Sequence, residues 1–261
     1  GHRTIMRSHG SLMFGWPIPF SIDARINRAY ARSLTRHGPT PQGVFWNSTK
    51  TQKARFAALT AAIRADHEKQ IGRQQMERQQ MERQQMERQQ NGRGQNGRGR
   101  HTPTTPVIAD IGCGYGALLD YIDTQPALAG WGYRGIDVTP AMVEACTQRF
   151  PERAACFTTG KAPPAAVDYC LVSGTFNLCL INDADRWQRY ILESLTPCWH
   201  ASRRGIALNL LCADKALIRN NIYYASRDGI IAALQQRFGA VSWHPTRQVK
   251  HDVTFLITRR N

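Results

Sequence analysis

Asp110, the glycines at 112, 114 and 116, and Asp137 are the residues whose types and spacing suggest chemistry. The run Val107-Ile108-Ala109-Asp110-Ile111-Gly112-Cys113-Gly114-Tyr115-Gly116 reads as a buried strand, a glycine turn and the opening of a helix. Lacking a Cβ, glycines let the backbone turn tightly and come close to a ligand. Gly135-Ile136-Asp137 ends a second strand on a carboxylate 21 positions after Gly116. That is about the spacing at which an acid reaches both hydroxyls of a ribose. A nucleoside-containing cofactor is therefore expected.

The first acid narrows the choice. Dinucleotide sites place a pyrophosphate on G-x-G-x-x-G and the helix that follows. Here the pattern is Asp110-x-Gly112-x-Gly114-x-Gly116, with no glycine three residues after Gly114. A carboxylate at the strand end would repel a pyrophosphate but suits a cationic amino-acid group. There is no Walker lysine after the glycines, and Ser173-Gly174 lacks the flanks of a hydrolase elbow.

The run resembles motif I of the class I S-adenosylmethionine (SAM)-dependent methyltransferases, and Asp137 matches that family's ribose-binding acid. Ser173-Gly174-Thr175-Phe176-Asn177, after the apolar run Val167–Val172, is similar to its motif IV. The resemblance covers about residues 106–260. It extends to an uncharacterised bacterial subgroup with a His-Gly-Pro-Thr-Pro segment and a Trp-Asn, here His37 to Asn47. It implies that Asp110, Gly112, Cys113, Gly114 and Gly116 hold the methionine part of SAM, that Asp137 and Val138 meet the ribose, and that Ser173 faces the methyl end. No carboxylate follows the third strand at Phe157–Lys161, so backbone groups of Gly160 and Lys161 are expected to meet the adenine. Trp46 and Arg55 are further candidates for the adenine edge or the cofactor carboxylate; core packing and a solvated helix face are their alternatives.

Methyl transfer requires alignment more than a dedicated catalytic group. His37 is a candidate proton acceptor, since histidine titrates near neutral pH. Tyr115 could pack against the methionine portion or close the pocket, and Asn177 could orient a substrate or cap the local turn. Tyr223 and Tyr224 lie where family members usually contact the acceptor. The Asp-Pro-Pro-Tyr motif of amino-methylating nucleic-acid enzymes is absent, which weakens a DNA or RNA base N-methyltransferase, though ribose and ring-carbon modifiers would not need it. The acceptor expected is an oxygen or nitrogen of a small molecule. An RNA methyltransferase and a non-catalytic SAM-binding module are the rivals.

The elements that must position these residues alternate. From Pro106 the order is strand, helix (115–123), strand (132–137), helix (140–150), a short strand (155–158), the Val167 strand, a helix (183–200), the Gly205 strand, a helix (226–238) and two last strands. Such alternation predicts an α/β, Rossmann-like fold: a mostly parallel seven-stranded sheet with helices on both faces. Ligands there sit at the strands' carboxyl ends. Residues 1–71 are expected as a helical extension or lid, with helical spacing over 13–35 (Ile22, Ile26, Tyr30, Leu34) and 51–71. Residues 72–105 form a low-complexity loop and 106–261 the SAM-binding domain. The tract repeats Met-Glu-Arg-Gln-Gln three times from Met76 to Gln90 before a Gly/Arg-rich end. Its period of five cannot build a buried stripe, although its residues favour extension of the preceding helix.

The 34 Lys+Arg against 19 Asp+Glu give a net charge of +15. Residues 107–261 hold 16 bases and 13 acids, so most of the excess lies in the first 106 residues. A basic segment can steer polyanions, but more often it only solvates. No apolar run approaches the roughly 18 residues of a membrane span, and prolines interrupt residues 12–20 as a signal core. Seven scattered cysteines without a C-x-x-C pair argue against a metal site and for a reducing, cytoplasmic setting.

Overall fold

A computed structural model describes residues 21–45, 48–90 and 105–259. Helix α1 (Ile22–His37) opens where the Ser21 hydroxyl accepts the Ala24 N–H at 3.2 Å. It closes where Gly38 N–H bonds the Leu34 carbonyl. The part of the expected helix over residues 13–20 lies outside the described residues.

Helix α2 (Thr49–Gln90) is 42 residues long. Phe56, Leu59 and Ile63 recur at helical spacing and are buried against the sheet. Beyond His67 the helix leaves the body; Met76, Met81 and Met86 are exposed. The tract expected as a loop over 72–105 is therefore helical as far as Gln90. Gln, Glu and Arg sustain a helix without tertiary help, and Arg78 pairs with Glu82 at 2.9 Å, one turn on. Successive methionines advance by about 140° round the axis, so no stripe forms.

The sheet comprises β1 (Val107–Ile111), β2 (Gly132–Asp137), β3 (Phe157–Thr159), β4 (Val167–Val172), β5 (Ser202–Ala213), β6 (Leu217–Arg219), β7 (Ile222–Ser226), β8 (Ala240–Pro245) and β9 (Asp252–Thr258). Strands β3-β2-β1-β4-β5 run parallel in that order. Strand β9 then pairs antiparallel with β5 from Gly205↔Thr258 to Leu211↔Asp252, and β8 pairs antiparallel with β9. Central strands are buried on both faces and are mostly apolar. Every residue of β4 is buried, Asp168 included, whose carboxylate accepts the Val107 N–H at 2.8 Å and pairs with Arg204 at 3.2 Å.

Nine strands stand where seven were expected. The additional two are the hairpin β6–β7, whose turn residues Asn220 and Asn221 both have positive φ, 52° and 59°. Two left-handed residues are what a tight two-residue hairpin demands, and asparagine tolerates them. The hairpin joins the sheet where Cys212 and Ala213 pair with Ala225 and Ser226.

Helices α3 (Ala117–Asp123), α4 (Pro140–Arg149), α5 (Ala184–Ala201) and α6 (Arg227–Arg237) complete the layers. One face is covered by α2 and α3, through Phe56, Leu59, Ile63, Leu118 and Leu119. On the other lie α5 and α6, through Trp187, Ile191, Leu195, Ile230 and Leu234, with Ile22 and Ile26 of α1 packed beside them. The carboxyl ends of β1, β2 and β4 meet under α1 and the start of α2.

Candidate active site

The glycine turn is built by bonds to the neighbouring strand. Gly112 and Cys113 N–H both donate to the Ile136 carbonyl, at 2.8 and 3.1 Å. Gly114 N–H donates to one carboxylate oxygen of Asp137 at 2.9 Å, and Thr139 N–H to the other at 2.8 Å. The acid thus fixes the loop while standing in the pocket wall. Gly112 has φ 73°, and a Cβ there would fall 2.6 Å from the Thr175 methyl. Only glycine allows β1 to turn this close to the loop after β4.

Asp110 and Asp137 line one pocket and are both buried. Burial pushes the Asp110 carboxyl from 3.8 up to about 7, against a 2.8 Å bond from the Tyr133 hydroxyl; the Asp137 charge adds a smaller upward push. Burial also raises Asp137, and the N–H groups of Thr139 and Gly114 oppose it. Two desolvated carboxyls side by side favour a ligand carrying a cation and hydrogen-bond donors.

After β4, the Thr175 hydroxyl donates to the Ile111 carbonyl at 2.9 Å, and Trp187 Nε1–H donates to the Phe176 carbonyl at 3.0 Å. These bonds hold Ser173 to Phe176 against the pocket. The Ser173 hydroxyl oxygen lies buried there without a hydrogen-bond partner among the described residues. A buried polar atom in that condition suits a ligand bond.

The roof comes from the N-terminal helices. Ile26 and Tyr30 of α1, Val44, and Gln52 and Phe56 of α2 complete the walls. Burial, with the Asp137 carboxylate nearby, raises the Tyr30 hydroxyl and keeps it neutral. Asp23 fastens α1 to the body: it pairs with Lys161 and accepts the Tyr190 hydroxyl at 2.9 Å.

The chain is 38% identical over 134 residues to "Putative methyltransferase Rv1506c" of Mycobacterium tuberculosis, a match covering 50% of this chain and 80% of that protein. The chain belongs to the class I SAM-dependent methyltransferase family. No family model matches the chain. Magnesium protoporphyrin IX methyltransferase from Synechocystis PCC 6803, with bound SAM, superposes with a TM-score of 0.43 at 15% identity over 60% of this chain and 71% of that one. The glycopeptide N-methyltransferase MtfA, also with SAM, gives 0.44 at 14% identity over 61% and 89%. Likeness at that level adds no weight to the assignment, which rests on the mycobacterial relative.

In this methyltransferase Asp110, Gly112, Cys113, Gly114, Asp137, Val138, Gly160, Lys161 and Ser173 do line one pocket, and Tyr115 joins them. Gly116 does not. It is packed against the Phe150 ring, where a Cβ would fall 2.7 Å away, and it starts α3. Trp46 lies outside the described residues. Arg55 is no cofactor contact, because its guanidinium is buried against Asp252 at 2.6 Å.

The proposed catalytic and acceptor residues fare differently. His37 is exposed on the last turn of α1, away from the pocket. Asn177 is absent from the pocket walls; its carbonyl accepts the Tyr223 N–H at 2.9 Å. Tyr223 is buried in the core, and Tyr224 stacks edge-on against His251. All three sit in or against the β6–β7 hairpin, which turns that stretch from a pocket edge into packing. Tyr30, Gln52, Thr175, Tyr190 and Ser194 are wall residues that motif reasoning did not select. Ile26 and Tyr30 were visible as an apolar stripe on α1, but nothing in the stripe tells what it covers.

Proposed function

We propose that this methyltransferase moves the methyl group of SAM to an oxygen or nitrogen of a small molecule. The observation that carries the reading is the placement of Asp110 and Asp137, two buried carboxyls on adjacent strands, in one pocket with the glycine turn. Asp110 would face the ammonium of the methionine portion, and Asp137 the ribose hydroxyls. The Ser173 hydroxyl supplies a polar partner and the Gly160–Lys161 backbone meets the adenine. When bound, SAM supplies an electrophilic methyl on a cationic sulfur. The residues present align the acceptor and exclude water; Ile26, Phe56 and Phe176 make much of the wall apolar. A roofed pocket of this kind supports a small acceptor better than a polymer.

Arg25, Arg28, Arg32 and Arg36, exposed at helical spacing along the outer side of α1, favour a second reading in which RNA is the substrate. Salt-dependent RNA binding lost on neutralising that row would support it. A cytoplasmic setting is part of the first reading. It is supported by seven unpaired cysteines; no helix among the described residues is long and apolar enough to cross a membrane.

Calorimetric titration with S-adenosylhomocysteine, SAM and NAD, with Asp137→Ala as the control, tests the reading. Binding of the first two, weakened about 10- to 100-fold by the substitution, is expected from the loss of charge-assisted hydrogen bonds worth about 1.5–3 kcal/mol each. Preference for NAD would sink it.

A further inference from the structure

Gln52 is 4% exposed, stands in the first turn of α2 and lines the pocket beside the glycine turn. The Tyr115 hydroxyl donates to its Oε1 at 3.3 Å. An amide whose oxygen is already accepting must place its two N–H donors elsewhere. No bond from Nε2 exists among the described residues, and that nitrogen is not among the sealed, unpartnered polar atoms. Its donors therefore open on the pocket.

An amino-acid moiety is a zwitterion, and Asp110 answers only its ammonium. The carboxylate needs donors at the same end, next to Gly112–Tyr115. No cation stands there among the wall residues. Arg149 lies behind Tyr115, with its guanidinium over the ring and bonded to the Tyr115 carbonyl and to Asp120 at 2.7 Å. Lys161 follows β3 and is paired with Asp23. Arg55, one turn after Gln52, is bound to Asp252.

We infer that the Gln52 amide binds the carboxylate of the cofactor's methionine portion, and that Tyr115 is a positioning residue that holds the amide with its N–H donors towards the ligand. This rests on the SAM reading. It brings the N-terminal region into the cofactor site and gives Tyr115 a part there through its hydroxyl.

The test compares S-adenosylhomocysteine with its decarboxylated analogue S-adenosyl-3-thiopropylamine, which keeps every other group. Titration of the wild-type chain should show weaker binding of the analogue. Gln52→Leu should weaken S-adenosylhomocysteine about 10- to 100-fold, the scale of a hydrogen bond to a charged group, and leave the analogue within twofold. Gln52→Glu, a near-isostere that sets carboxylate against carboxylate, should weaken S-adenosylhomocysteine further while sparing the analogue. Tyr115→Phe should give a smaller loss of the same selectivity. Equal losses for both ligands, or none for either, would overturn the assignment while leaving the SAM reading intact. Failure of the wild-type chain to bind either ligand would overturn both.

Discussion

Replacing Asp110 with asparagine removes one ionisable group from the site and keeps its shape and its bond from the Tyr133 hydroxyl. In the folded chain this carboxyl is pushed from 3.8 up to about 7 by burial. Between those values the native protein holds a proton that the unfolded chain has released. Stability then falls as pH rises, by about 1.4 kcal/mol per pH unit at most. Over roughly three units the loss reaches on the order of 4 kcal/mol. It is still small at pH 4 and nearly complete by pH 8. The asparagine variant has no such descent.

Urea denaturation of both proteins from pH 4 to pH 8 measures the effect as a difference. Any constant cost of the amide shifts the difference curve without tilting it, and the other titrating groups are common to both proteins. The stability of the variant relative to wild type should climb through that window towards about 4 kcal/mol. The same titration predicts weaker binding of S-adenosylhomocysteine to wild type below pH 7, where a protonated Asp110 no longer attracts the ammonium. A flat difference curve would refute the reasoning, since it would mean that Asp110 stays ionised and solvated.

Arg55→Met should destabilise the fold by about 3–5 kcal/mol in urea, because it leaves the Asp252 carboxylate buried and uncompensated. Its affinity for S-adenosylhomocysteine should stay within twofold; a large loss of affinity with unchanged stability would return Arg55 to the site. Gly112→Ala, at φ 73° and 2.6 Å from the Thr175 methyl, should cost roughly 1–3 kcal/mol and abolish cofactor binding, as read by thermal shift with and without ligand. Gly72→Ala, in α2 with open space around it, should instead gain about 0.5–1 kcal/mol. Asp23→Asn loosens the ties of α1 to Lys161 and Tyr190. Stopped-flow binding of S-adenosylhomocysteine should show association and dissociation both faster by about 5- to 30-fold, the scale of one exposed ion pair and one hydrogen bond; an unchanged association rate would mean that the ties of α1 do not limit ligand entry.

What was legible in the sequence is what short stretches determine. Val167–Val172 is apolar apart from Asp168, whose carboxylate accepts the Val107 N–H and pairs with Arg204, because β4 is covered on both faces, so its ends could be read from composition. Asp137 could be placed because its role depends on a turn and a strand within thirty residues of it. Gln52 could not. It enters the site through a bond to Tyr115, 63 positions away, and sequence order carries no trace of that approach. Arg55 misled for the same reason: an arginine near a cofactor site looks available until Asp252, 197 residues on, takes it. The β6–β7 hairpin was missed because three- and five-residue strands give too few alternations to stand out, and Asn220-Asn221 is a rarer turn signal than Asn-Gly. That one omission displaced Asn177, Tyr223 and Tyr224 from the pocket.

The boundary that the motifs suggest at residue 106 is not a physical boundary of the fold. Phe56, Leu59 and Ile63, all on α2, are at most 5% exposed and cover Ile108, Leu118, Tyr169 and Leu171. Burying each large apolar side chain contributes about 1.5–3 kcal/mol, so the three together contribute roughly 5–9 kcal/mol. That is comparable with the entire stability of a typical domain, about 5–15 kcal/mol. A chain starting at 106 would also leave Asp252 without Arg55, deep under the same helix. The first turns of α2 therefore belong to the catalytic body, and the helix beyond His67 is an addition to it. Because Gln52 and Phe56 line the pocket from this same segment, a ligand that binds there also binds α2 to the sheet. Cofactor affinity and the docking of the N-terminal region are then one linked equilibrium, in which ligand at a hundred times its Kd adds about 2.7 kcal/mol to the docked state.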